Sequence, residues 1–259
     1  MRGGRHLPVP RPRRRRGDGL RPARRDRRRA ALNVADGGPF RRYHATVAVL
    51  RGRRVVLRPL GPADFGAYAE SRAANVEWLT RWEPKRLPGQ PDPARSYDAF
   101  VARCSARQRE RQLGTGYGFG IFLDGVFCGE MNLSGVQRGP FQSASIGYWV
   151  DHRAAGRGLC PESLVVVLRF AFEELALHRV LVAIVPRNHA SRRVVEKVGV
   201  RCEGTAVGFL EIAGVWEDHL QFAMVAEEWV ARAPELLRSW VDGAAADRTD
   251  PLAHPAVTG

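Results

Sequence analysis

The sequence predicts a single α/β domain, a mixed central sheet with helices on both faces. Three observations carry this expectation. Apolar runs of strand length alternate with segments of helical period between about residues 53 and 229. Two turn pairs, Asp124-Gly125 and Ala213-Gly214, each divide a long apolar stretch into two strands, the mark of a hairpin. "RVLVAIV", Arg179–Val185, is almost unbroken in apolar character, as in a strand buried on both faces.

The elements follow in order. "RRVVLRPL" reads as a strand from Arg53 to Pro59, and "GPADFGAYAESRA" opens a helix near Pro62 or Ala63. "EPKRLPGQPDP" is a loop. "ARSYDAFVARCSARQRERQL" is a long helix, with Tyr97, Phe100, Val101 and Cys104 at the i, i+3, i+4, i+7 spacing of a buried face. "YGFGIFLDGVFCGEMNLSGV" is the first hairpin and "SASIGYWV" a third strand. A helix beginning near Pro161 aligns Leu164, Val167, Leu168, Phe172 and Leu175, and the Arg179–Val185 strand comes next. "ASRRVVEKVG" is a short helix capped by Gly199. The second hairpin surrounds Ala213-Gly214, and a last helix carries Trp229, Leu236, Leu237 and Trp240.

Charge separates the ends from the body. The formal net charge is +14, but residues 1–42 hold 15 Arg against 3 Asp, a net of +12. Such a run cannot bury enough apolar surface to fold, so 1–45 is expected to be a disordered tail, 46–242 the domain and 243–259 a second tail. The basic arm reads either as a weak nucleic-acid contact through residues 1–42 or as an extension with no structural role. No segment has the length and apolarity of a membrane span, and a cytoplasmic protein is expected. Cys104, Cys128, Cys160 and Cys202 form no C-x-x-C pair, so they read as core filler and no metal is expected.

The chemistry concentrates in "RAAGRGLCPESL", residues 153–164. Glycines 156 and 158 free the backbone at a strand-to-helix turn. N–H groups can converge there with the positive end of a helix dipole, and Arg153 and Arg157 add charge. A diphosphate would suit such a turn, and so would an ordinary strand-to-helix connection. The P-loop pattern needs a lysine that is missing, and the dinucleotide fingerprint needs a third glycine where Pro161 stands.

R-x-x-G-x-G at Arg153, Gly156 and Gly158 resembles the acyl-CoA pyrophosphate motif of the GNAT acetyltransferase superfamily. "FLDGVFCGEMNL", "IGYWV" and the N-x-x-S-x-x-x-x-E-K-x-G pattern from Asn188 to Gly199 occur in the matching order. "RWEP" and "EIAGVWEDHL" are similar to the RimJ/RimL-type ribosomal-protein N-acetyltransferases. The resemblance covers about residues 53–229 and implies a GNAT-like domain using acetyl-CoA as co-substrate. It also implies that Ile146–Val150 splays from Arg179–Val185 to hold the cofactor arm. The cofactor contacts it implies are Tyr148, Trp149, Val150, Arg153, Ala155, Gly156, Arg157, Gly158, Leu159, Asn188 and Ser191.

For catalysis, Ser191 can protonate the leaving thiolate or cap its helix. Glu130 and Asn132 share one strand face and read either as a water-holding pair or as a solvated face, the latter favoured. Glu211 is a candidate base beside Leu210, which stands where the family often has a carboxylate. Trp78, Trp82 and Glu83 are candidates for the acceptor pocket. His219, in "WEDHL", reads as structural. A site with a weak base suits an α-amine, with a reference pKa near ~7.7–8.0, better than a lysine near ~10.4. The expected acceptor is therefore a protein N-terminus, with a small-molecule amine also open, and the protein itself is expected to be a monomer or homodimer. The alternative is a catalytically weak member of the same fold that acts as an RNA-associated or regulatory binding module through its basic arm.

Overall fold

The structure, a computed structural model, describes residues 49–242; both expected tails lie outside the described residues. An eight-stranded sheet holds the strands β1 (Leu50–Arg51), β2 (Val55–Arg58), β3 (Gly116–Leu123), β4 (Val126–Gln137), β5 (Ser143–Val150), β6 (Arg179–Ile184), β7 (Arg201–Ile212) and β8 (Val215–Val225). Their spatial order is β1-β2-β3-β4-β5-β6-β8-β7. Only β5 and β6 run parallel; the other neighbours are antiparallel. The helices are α1 (Phe65–Ala74), α2 (Val76–Thr80), α3 (Tyr97–Leu113), α4 (Leu159–Arg169), α5 (His189–Val198) and α6 (Ala226–Trp240).

Local chemistry sets the boundaries. Ser96 Oγ accepts the Ala99 N–H at 3.3 Å to start α3, and Gly114 ends it at φ 70°. The two hairpin turns take positive φ at both central residues, Asp124 with Gly125 and Ala213 with Gly214. The main core lies between the sheet and α4, whose residues Leu159–Leu168 are all buried. Across the sheet, Tyr68, Phe100, Phe122 and Phe127 form a smaller aromatic cluster.

Four expectations need correction. α4 begins at Leu159, with Pro161 inside its first turn, where a missing N–H costs no intrahelical bond. β6 alternates buried and half-buried residues, because one of its faces opens onto a cleft. Tyr97 is exposed at the first position of α3, beyond the reach of the sheet. β1 and α2 are additional elements, too short to leave a periodic signal.

Candidate active site

The parallel seam sets the site. β5 and β6 pair at Ser143↔Arg179, Ala144↔Val180 and Ser145↔Leu181, and then part. β5 stays bonded to β4 through Val150, and β6 to β8 through Ile184. A bulge at Cys128, between the pairs Ile121↔Gly129 and Phe122↔Phe127, bends β4 beside the end of β5. Gly129 fits there because a Cβ would lie 2.2 Å from the Trp149 carbonyl. The parted strands wall a cavity of about 490 Å³, lined by Ile146–Val150 on one side and Val182–Val185 on the other. This is the divergence that the resemblance implied.

The glycine turn closes one end of the cleft. Gly156 and Gly158 adopt φ 77° and 80°, which a side chain would strain. Among the described residues, the N–H groups of Gly156, Arg157 and Gly158 have no acceptor, and Gly158 opens α4. Together with the first-turn N–H groups of α4 they make a nest suited to a diphosphate. Ala155, Gly156, Gly158 and Leu159 line the cleft.

The two arginines of the motif are placed otherwise than expected. Arg153 is committed to Asp151, at 2.7 and 3.0 Å, and reaches Glu70 at 3.3 Å, so it braces the turn from behind. Arg157 does not line the cleft; its carbonyl accepts from Arg54 at 3.0 Å. Buried Asp151 organises this brace. Burial alone would raise its carboxyl, but bonds from Arg153, Ser71 and Asn75 outweigh that and hold it well below the usual range. The cations that do line the cleft are Arg193 and Lys197, four apart on one face of α5.

At the middle of the cleft, β5 meets α5. Asn188 Oδ1 caps α5 by accepting the Ser191 N–H at 3.1 Å, so Ser191 is not the cap. Its hydroxyl instead donates to the Tyr148 phenol at 3.0 Å, and the phenol donates to the Ser191 carbonyl at 3.1 Å. Burial raises the Tyr148 phenol and keeps it protonated. Cys160 also lines the cleft, its thiol pushed up to about 12 by burial.

The far wall holds Trp78, Leu79, Trp82, Glu83, Trp149 and His219. Glu83 is clamped by Arg72 at 2.6 and 2.7 Å, and its carbonyl accepts the Ala213 N–H at 3.0 Å. Arg81 and Arg187 stack on the Trp82 ring at 5.2 and 5.0 Å. All three acceptor-pocket candidates, Trp78, Trp82 and Glu83, are therefore on the cleft.

The other candidates are elsewhere. Glu130 is buried, not solvated: Arg103 donates to it at 2.6 Å and the Trp149 indole at 3.0 Å. It stands behind Trp149 and supports that ring. Asn132 lies with Glu130 in a separate hollow under α3. Glu211 is exposed beside the β7–β8 turn and does not line the cleft. Leu79, Arg193 and Lys197 are additions to the predicted set. The helical spacing of the two cations in "RRVVEK" was the available signal.

Comparison with known proteins agrees with this geometry. Residues 54–201 match the acetyltransferase (GNAT) domain. The RimJ protein of Mycobacterium smegmatis, solved in complex with CoA-disulfide, is 34% identical and superposes with a TM-score of 0.67 over 74% of this chain and 93% of its own. YjcK of Bacillus subtilis, described as a probable N-acetyltransferase, is 32% identical over 68% of this chain and 97% of its own. The [ribosomal protein uS5]-alanine N-acetyltransferase of Escherichia coli is 29% identical over 68% and 90%. The chain belongs to the GNAT acetyltransferase family.

Proposed function

We propose that the protein transfers the acetyl group of acetyl-CoA to the α-amine of a protein N-terminus, in the manner of the ribosomal-protein-alanine enzymes it resembles, and does so in the cytoplasm. The observation that carries this is the seam. Parted strand edges at Ile146–Val150 offer unpaired backbone to a pantetheine arm, the nest at Gly156–Gly158 suits its diphosphate, and Arg193 and Lys197 add positive charge. Ser191 and Tyr148 meet between these strands, where the thioester would lie. The Ser191 hydroxyl, turned from Tyr148, can give a proton to the leaving sulfur as the new C–N bond forms and the C–S bond breaks. Trp78, Trp82 and Glu83 then face the incoming acceptor.

Steady-state rates with acetyl-CoA and two matched peptides test this reading. A peptide with a free N-terminal alanine should be acetylated at least tenfold faster than an N-blocked peptide with an internal lysine. Faster modification of the blocked peptide would overturn the α-amine assignment.

A further inference from the structure

We propose that His219 is the general base that takes the proton from the acceptor amine, through its Nε2; this rests on the acetyl-transfer reading above. His219 is buried on β8 and lines the cleft. It stands one residue past the last β6–β8 pair, Ile184↔Leu220, where β6 gives way to the turn leading into α5 and Ser191. Strand alternation sends its neighbour Asp218 to the other side, where Oδ1 accepts the Gly208 N–H at 2.8 Å.

The tautomer follows from the one polar contact of the ring among the described residues. Nδ1 lies 3.0 Å from the Glu217 carbonyl. A carbonyl only accepts, so Nδ1 carries the hydrogen and Nε2 keeps its lone pair. Among the described residues no group bonds Nε2. The other titratable and charged groups at the cleft are spent or of the wrong type. Glu83 has both oxygens on Arg72, and Glu217 is paired with Arg187. The Tyr148 phenol and Cys160 thiol are held protonated, and Arg193 and Lys197 are cations.

In the balanced reaction the amine nitrogen attacks the thioester carbonyl, the C–N bond forms and the N–H proton passes to Nε2. The C–S bond breaks, and sulfur receives one proton from Ser191. Exchange of the imidazolium and the serine with water restores both.

The test compares wild type, His219→Gln and His219→Ala on the free N-terminal alanine peptide from pH 6 to 10. At pH 7, His219→Gln should lose about 10²–10³-fold in kcat/KM, with acetyl-CoA affinity by calorimetry within about threefold of wild type. Its rate should keep rising through the α-amine titration near ~7.7–8.0, so the gap narrows at alkaline pH. Added imidazole should restore part of the rate to His219→Ala. A deficit below about threefold, or one equal at every pH, would overturn the assignment of His219. Should the glutamine variant lose acetyl-CoA binding, His219→Asn, whose amide can still donate to the Glu217 carbonyl, carries the same comparison. A wild-type enzyme inert towards both peptides would sink the acetyl-transfer reading itself; an active wild type with an equally active variant sinks only the base.

Discussion

Replacing Glu162 by leucine should unfasten the glycine turn from the sheet. Glu162 sits in the first turn of α4, directly after the turn, with its side chain only 1% exposed. Its Oε1 accepts the backbone N–H groups of Arg54 and Val55, the latter at 2.9 Å, and its Oε2 accepts from the Arg54 guanidinium at 3.0 Å. Leucine would leave the N–H groups of Arg54 and Val55, at the start of β2, without an acceptor, at about 1–3 kcal/mol for each that stays buried. The Arg54 guanidinium is 42% exposed and would turn to water, adding little. The expected loss is about 3–5 kcal/mol, in the range for breaking a buried pair. At about 2–4 °C per kcal/mol for a domain of this size, Tm should fall by roughly 6–20 °C. Glu162→Gln keeps one oxygen for both N–H groups and loses only the half-exposed charged contact, so it should cost no more than about 1 kcal/mol. Thermal and urea unfolding of the three proteins would measure this order. Equal losses for Gln and Leu would refute the argument that the backbone N–H groups carry most of the energy.

Gly158→Glu should abolish acetyl-CoA binding in calorimetry, because it strains φ 80° and brings a carboxylate to the nest. Ser191→Ala should slow turnover by about 10²-fold while leaving acetyl-CoA affinity within a few fold, read from single-turnover rates and calorimetry. Asp151 has a folded pKa depressed below its unfolded value, so its stabilising contribution is present above about pH 4 and lost as pH falls through the folded value. Asp151→Asn should therefore lower Tm at pH 7, and the difference from wild type should shrink below about pH 4. Glu211→Gln, a change at an exposed strand end, should leave kcat/KM within about twofold in the same peptide assay.

The periodic parts of the molecule were legible because periodicity reports burial on one face. α4, the β3–β4 hairpin and the β7–β8 hairpin stand where their apolar spacing and turn pairs put them. The glycines at 156 and 158 were legible for a different reason, since only positive φ demands them. Side-chain partners were not. Arg153 has the right charge and position for an anion site, and nothing in the string of letters reveals that Asp151, itself held by Ser71 and Asn75, claims it. Glu130 read as solvated because its strand alternates, but the face it joins is roofed by α3 and Arg103. His219 read as structural because a lone histidine carries no spacing signal. Its meaning depends on where β6 stops, a fact of register between strands about 40 residues apart in sequence.

The seam between β5 and β6 also divides the chain by sequence distance. β1–β5 and β6–β8 are each a contiguous stretch, and three residue pairs join the two half-sheets directly. Most ladders within each half close over short loops, which form at low entropic cost, whereas the seam requires the α4 crossover to be in place. The join is thus the shortest ladder in the interior of the sheet, only the edge pair β1–β2 being shorter, and its free edges should exchange amide hydrogens faster than the hairpins on either side. A ligand spanning the gap binds only when both halves are docked. At a hundred times its Kd it would add about 2.7 kcal/mol to that docking step. A co-substrate bound as proposed would serve as the missing rungs of the sheet, and its concentration would set how firmly the two halves are closed.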